Sequence, residues 1–147
     1  MQNELLMDMV AQNRMTCAVA FSRITPESLS CRLNDQTASV GFIYRHIGET
    51  MLLFGYFFGL PAADVQNTTM GQPDTGQGQD LATSHILVER GFSMLEQLVN
   101  ETPEQAWLDP IDTPFFGKVS KGRLFAHVLF HNANHAGQIS LTLARGQ

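Results

Sequence analysis

The sequence predicts an all-α fold, a four-helix bundle in which a long connection joins the second helix to the third. Four segments carry apolar residues at three- and four-residue steps. Stretches rich in Pro, Gly, Thr, Asn and Asp separate them, and no segment alternates as a half-buried strand does. The 147 residues form a single domain, 1–147: 44% are hydrophobic and 16% charged, enough apolar material for one core and too little charge for a disordered chain.

The first helix spans about Asn3 to Phe21, with Leu6, Met9, Val10, Cys17, Ala20 and Phe21 on one face, and the Thr25-Pro26 loop ends it. The second is expected from near Asp35 to Phe58, where Phe42, His46, Glu49, Leu53 and Phe57 form a stripe and Gly59-Leu60-Pro61 stops it. Ala62 to Gln79 is rich in glycine and has no apolar period. It reads as the long flexible crossover that some bundle topologies need. Asp80 is an apt N-cap for the third helix, which places Leu81, His85, Val88, Phe92, Leu95 and Val99 on one face before Thr102-Pro103. Trp107 to Lys118 reads as loop. Ser120 caps the fourth helix, which runs to about Ala144 with Gly146 beyond it.

Between Leu124 and Ala144 there is no Asp, Glu, Lys or Arg, so this last helix must be wrapped by its own bundle, by a second subunit, or by both. Its histidines and amides rule out a membrane span. The apolar run Met51 to Leu60 is too short to be one. Met15 to Phe21 makes a poor secretory signal, with Glu4 and Asp8 upstream in place of a basic cluster. Two cysteines, Cys17 and Cys31, give no disulfide framework, and Cys17 on the inward face reads as a small core hydrophobe. A cytoplasmic location is expected. Nine Lys plus Arg against 14 Asp plus Glu leave a net charge of −5, which offers nucleic acid no general attraction.

The chemistry-bearing feature is His127, His131 and His135. An α-helix advances about 100° per residue, so these imidazoles lie roughly 40° apart on one face, with Asn134, Gln138 and Thr142 near the same line. Polar groups on a packed face need partners, and imidazoles at i and i+4 can aim their nitrogens at one metal, His127 with His131 or His131 with His135. Satisfied core histidines are the plain alternative. A bundle site draws further ligands from a facing helix, and the other histidines are His46, in mid-helix, and His85, near a helix end. His46 is the better partner, while His85 reads as hydrogen-bonded or half exposed. Glu49, three residues after His46, can orient a ligand, accept a proton, or pair with Arg45 or Arg90.

The segment Leu124-Phe125-Ala126-His127-Val128-Leu129-Phe130-His131-Asn132-Ala133-Asn134-His135-Ala136-Gly137-Gln138-Ile139 resembles the terminal pattern of the DinB/YfiT-like superfamily, two histidines four apart followed by Gly-Gln-Ile. Val40 to Glu49 is similar to that family's helix-two histidine segment, and the resemblance spans most of the chain. It implies a four-helix bundle with His46, His131 and His135 as ligands of a divalent metal and His127 as a neighbour; among the ions that imidazole suits, zinc is expected first and nickel second. Many members have Arg where this chain has Ala136, so any anion contact made by that Arg is absent here or supplied elsewhere. Family activities include transfers and isomerisations that use low-molecular-weight thiols such as bacillithiol or mycothiol.

Three functions follow as expectations. The first is a metal-dependent enzyme, a thiol S-transferase or hydrolase acting on a small molecule, with Glu49 or His127 as acid or base. The second is a non-catalytic, metal-stabilised, stress-associated dimer. The third is a helical interaction module with ordinary core histidines. A homodimer is expected to bury part of the uncharged final helix or the Met51 to Leu60 run.

Overall fold

A computed structural model describes residues 1–147. Its helices are α1 (Gln2–Phe21), α2 (Val40–Phe54), α3 (Leu81–Glu101) and α4 (Lys121–Arg145), joined by 3-10 turns and one short hairpin, β1 (Pro110–Thr113) and β2 (Gly117–Ser120). Gly48 packs on Leu87, Met51 on Gly91 and Gly55 on Met94, so the numbers rise together and α2 runs parallel to α3. His46 meets His131 while Phe54 meets His127, which makes α4 antiparallel to α2. Asn3 bonds the Val99 carbonyl and Arg14 pairs with Glu89, so α1 is antiparallel to α3. Parallel neighbours cannot be joined by a tight turn. The chain must travel back along the bundle, and the segment after Gly59 does so.

The helix ends follow local chemistry. The side chains of Ser39, Asp80 and Ser120 accept from Phe42 N, Thr83 N and Arg123 N, as N-caps do. Helix α2 therefore begins at Val40, five residues later than expected from Asp35. The Asn34 and Thr37 side chains instead close a turn, Asn34 Oδ1 accepting from Gln36 N and Thr37 Oγ1 accepting from Asn34 N. Such side-chain turns compete with helix for the same backbone groups. At the other end α2 tightens into a 3-10 turn over Gly55–Phe58, stopped by Gly59 in the left-handed region at φ 94°.

The expected loop at Trp107 to Lys118 is a 3-10 turn (Glu104–Leu108) followed by the hairpin, in which Ile111 pairs with Val119. Each strand has four residues and essentially one inward apolar side chain, too little for a period of two to show. Thr113 Oγ1 closes the hairpin turn, accepting from Phe116 N and donating to the Gly117 carbonyl.

One core joins all four helices and the hairpin, with Val10, Ile47, Met51, Phe92, Leu95, Trp107, Leu124, Phe125 and Ile139 fully enclosed. The Trp107 indole N–H donates to Asn3 Oδ1, tying the turn before the hairpin to α1. Met9, expected inward, is 47% exposed, one step off the buried line of Val10, Cys17 and Ala20. The Met51 to Leu60 run is spent inside the protomer, with Met51, Leu52, Phe54 and Phe58 all buried. Of its aromatic residues Tyr56, 64% exposed, is the one left standing at the surface. No helix is long and apolar enough to cross a membrane.

Candidate metal centre

Helix α4 presents His131 and His135 one turn apart, and α2 brings His46 against them. The three imidazoles converge through Nε2: His46 Nε2 lies 3.0 Å from His131 Nε2, and His135 Nε2 lies 3.1 Å from it. Their ligand atoms all fall within 4.8 Å of one another, close enough to share a metal ion.

The far side of two rings decides what faces the centre. His135 Nδ1 is 2.7 Å from Gln138 Oε1, an acceptor, so the proton of that ring sits on Nδ1. Thr69 Oγ1 donates to Glu49 Oε1 at 2.9 Å, so toward His46 Nδ1, 3.2 Å away, it can only accept. Both rings therefore turn bare Nε2 lone pairs toward His131 Nε2. One proton on His131 can answer only one of them. A cation at the point of convergence answers all three, and its nitrogen-only donor set suits zinc or nickel.

Burial holds all three rings neutral. It lowers His46, with help from His135, to a pKa of about 4, and lowers His131, with the neighbouring imidazoles adding to the effect, to about 3. Burial also lowers His135. Neutral imidazole is the form that ligates.

The remaining candidates lie around this cluster. His127 stays outside it, its ring centroid 6.0 Å from that of His131, packed against Phe116 at 4.7 Å and Phe54 at 6.1 Å. The hairpin tip thus reaches Phe54 through Phe115 and His127 through Phe116, and burial lowers the His127 pKa. Glu49 is completely buried. Its carboxylate accepts from the Arg45 guanidinium at 2.6 Å and from Thr68 and Thr69 of the crossover. Burial pushes this carboxyl up, and the hydrogen bonds from Thr68, Arg45 and Thr69 outweigh it, leaving the pKa below the usual value. His85 is exposed and bonds Tyr44 Oη at 3.0 Å, away from the cluster, in keeping with its sequence reading. Cys17 is buried, its thiol pushed up to about 11 by burial, and behaves as core.

Sequence reasoning missed Thr68 and Thr69. They lie in a glycine- and proline-rich stretch without periodicity, and nothing local marks them. The crossover is also less free than its composition suggests. Besides the Glu49 contacts, Gln77 Nε2 donates to the carbonyls of Thr68 and Pro73, and Asp74 accepts from Ser39 N and pairs with Arg32.

Beside His135 lies a cavity of about 440 Å³, walled by Leu33, Ala38, Ile43 and Leu141 with Thr37, Gln138 and Thr142 as its other polar members. It holds no Asp, Glu, Lys or Arg. An adjacent cavity of about 470 Å³, lined by Arg32, Asn34, Asp35 and Arg145 among others, touches none of the histidines.

No curated protein and no solved structure matches the chain. A family model does: that of the DinB superfamily, over residues 9–139, a span that includes all three clustered histidines and most of the bundle. With that match over most of its length, the chain belongs to the DinB superfamily.

Proposed function

We propose that His46, His131 and His135 bind one divalent metal, zinc in first place and nickel in second, and that the protein is a metal-dependent enzyme acting on a small electrophilic molecule, of the thiol S-transferase or hydrolase type. The observation that carries this reading is the 440 Å³ cavity against His135, of a size for a small substrate and half apolar in its lining. A metal that only tied helices together would need no such space. Three neutral imidazoles also leave coordination positions open, as catalytic sites do.

A divalent metal bound there lowers the pKa of a low-molecular-weight thiol or of water and so supplies a nucleophile at neutral pH. The chain's own groups do the rest. Leu33, Ala38, Ile43 and Leu141 exclude water from the apolar part of a substrate, and the uncharged walls favour a neutral one. Gln138 holds the Nδ1 proton of His135, which keeps Nε2 turned inward. His127 lies outside the cavity lining, one turn from His131, and we assign it proton transfer at the metal-bound nucleophile and not at the substrate. Glu49, with every carboxylate oxygen engaged, positions rather than transfers.

The test is a panel of low-molecular-weight thiols with a chromogenic electrophile, and an ester for water-driven hydrolysis, given to metal-loaded wild type and His131→Ala. Wild type is expected to be faster by at least about a hundredfold with one nucleophile, the scale of a single well-placed catalytic effect. Equal background rates for every nucleophile would leave the metal as a tie between α2 and α4 in a non-catalytic protein.

The setting we assign is a cytoplasmic homodimer. Two free cysteines suit a reducing compartment, and the net charge of −5 argues against a nucleic-acid partner. For the dimer, the support is the α1–α4 face, where Met9 and Ala133 border one shallow groove. Val19 (65% exposed), Phe130 (64%) and Leu141 (51%) stand out from the same two helices. With no charge from Leu124 to Ala144, a second copy meets no like charge along α4. Sedimentation at micromolar concentration is expected to give twice the 16.3 kDa of the chain. A single species at that mass would contradict the dimer.

A further inference from the structure

We infer that Thr69 is a positioning residue of the metal centre: its hydroxyl transmits the hold of the buried Glu49 carboxylate to His46, keeping that imidazole in the Nδ1–H form with Nε2 free for the metal. The inference rests on the three-histidine metal reading and extends it to a residue of the crossover, outside every helix.

The hydrogen-bond inventory favours one arrangement. A carboxylate has no proton to give, and Glu49 Oε1 receives Thr68 N at 2.8 Å and Thr69 Oγ1 at 2.9 Å, while Oε2 receives Arg45 Nε at 2.6 Å and Thr68 Oγ1 at 2.7 Å. The single Thr69 hydroxyl proton is therefore committed to Glu49. What remains on its oxygen is lone-pair density, and the polar atom it faces is His46 Nδ1 at 3.2 Å. Paired with that lone pair, the nitrogen carries the proton. The buried Thr50 hydroxyl, whose one partner is the same nitrogen, competes as a donor, but at 3.4 Å it is the longer contact and has no carboxylate behind it.

The consequence lies at the opposite ring atom. A neutral imidazole has one N–H, so fixing it at Nδ1 empties Nε2, which points at His131 Nε2. With no acceptor at position 69 the proton is free to sit on Nε2, where it blocks ligation. A hydroxyl already donating to a carboxylate is also a better acceptor, which makes the imidazole a better ligand. Glu49 does this indirectly because its side chain, one helical turn beyond His46, leans to the crossover instead of the ring. Thr69 bridges the gap, 23 residues away in sequence from the histidine it orients.

Three proteins test this: wild type, Thr69→Val, which keeps the shape and loses the hydroxyl, and Thr69→Ser, which keeps the hydroxyl. Zinc affinity is measured by competition with a chromogenic chelator. The state of His46 is read from 15N chemical shifts of the zinc-free proteins, assigned with His46→Gln. Thermal melts show that each variant is folded. Thr69→Val is expected to bind zinc about 10–100-fold more weakly, the usual cost of removing an outer partner of a ligating histidine. Its His46 signals should move from a protonated Nδ1 toward a mixture of both tautomers, with Thr69→Ser close to wild type on both readouts. Zinc binding by Thr69→Val as tight as wild type, or Thr69→Ser as weak as Thr69→Val, overturns the inference and leaves the three-histidine site standing. Wild type that takes up neither zinc nor nickel overturns the metal reading itself, and the inference with it.

Discussion

Protein carrying His131→Ala, purified without a histidine tag or nickel column, is expected to contain almost no bound metal where wild type contains one equivalent per chain. His131 is the middle member of the cluster. Its Nε2 lies 3.0 Å from that of His46 and 3.1 Å from that of His135, so both short nitrogen–nitrogen contacts of the centre run through it. Removing it leaves two imidazoles from different helices, whose ring centroids are 4.8 Å apart in an edge-to-face arrangement, and no third nitrogen. Two monodentate ligands do not hold zinc against solvent at micromolar protein. His135→Ala is expected to behave alike, and His127→Ala to keep its metal, because that ring packs among Phe54 and Phe116 outside the convergence point. Elemental analysis of the four proteins decides it. Near-stoichiometric metal in His131→Ala or His135→Ala would sink this ligand set, and metal lost only from His127→Ala and His131→Ala would move the site one turn along α4. Stability supplies a second readout. Zinc held at a hundred times its dissociation constant adds about 2.7 kcal/mol to the native state, and only proteins that bind it will show the rise in Tm.

Gly78→Ala is expected to be the most damaging small substitution in the chain, with a loss of about 3 kcal/mol, the upper end of what overpacking costs. Gly78 lies flat on the first turn of α2. A Cβ there would meet the Gly41 carbonyl carbon at 2.2 Å, its oxygen at 2.3 Å and Phe42 N at 2.4 Å. Backbone on both sides means that no side chain can swing away. Either the crossover lifts off α2 or the start of the helix distorts. Gly41→Ala is expected to fail for the reciprocal reason, its Cβ falling 2.4 Å from the Gly78 carbonyl oxygen. Gly137 is the contrast: it is exposed in the middle of α4 and a Cβ there meets nothing within 4 Å. Gly137→Ala should stabilise by up to about 1 kcal/mol through helix propensity alone. Urea unfolding of the three variants checks the ordering. A Gly78→Ala protein within about 0.5 kcal/mol of wild type, the scatter of neutral surface changes, would show that the crossing of crossover and helix is not rigid.

Some features were legible because they are encoded by neighbours. The caps Asp80 and Ser120 were visible as single residues ahead of periodic segments, and both close their helices as expected. The convergence of His131 and His135 follows from a spacing of four in any helix, and His85 could be set aside because it sits at a helix end. Helix α2 starts at Val40 and not near Asp35 for an equally local reason, since Asn34 and Thr37 use the intervening backbone groups for a turn. The hairpin escaped notice because Ile111 and Val119 are single inward residues in four-residue strands.

By itself, then, the sequence determined four helices, a ladder of imidazoles on the last of them, the need for a long crossover, and His46 as the candidate partner of that ladder. Tertiary structure alone decided that His127 stands apart from the other two, that Glu49 faces the crossover instead of the centre, and that Thr69 lies between that carboxylate and His46. The division has a physical cause. Helical periodicity repeats every 3.6 residues and is carried by residues next to one another, so it survives in a single chain read alone. A hydrogen bond between Thr69 and His46 exists only after α2 and α3 have packed in parallel and Gly78 has closed onto Gly41 to bring the crossover down on the site. No spacing in the sequence records that approach.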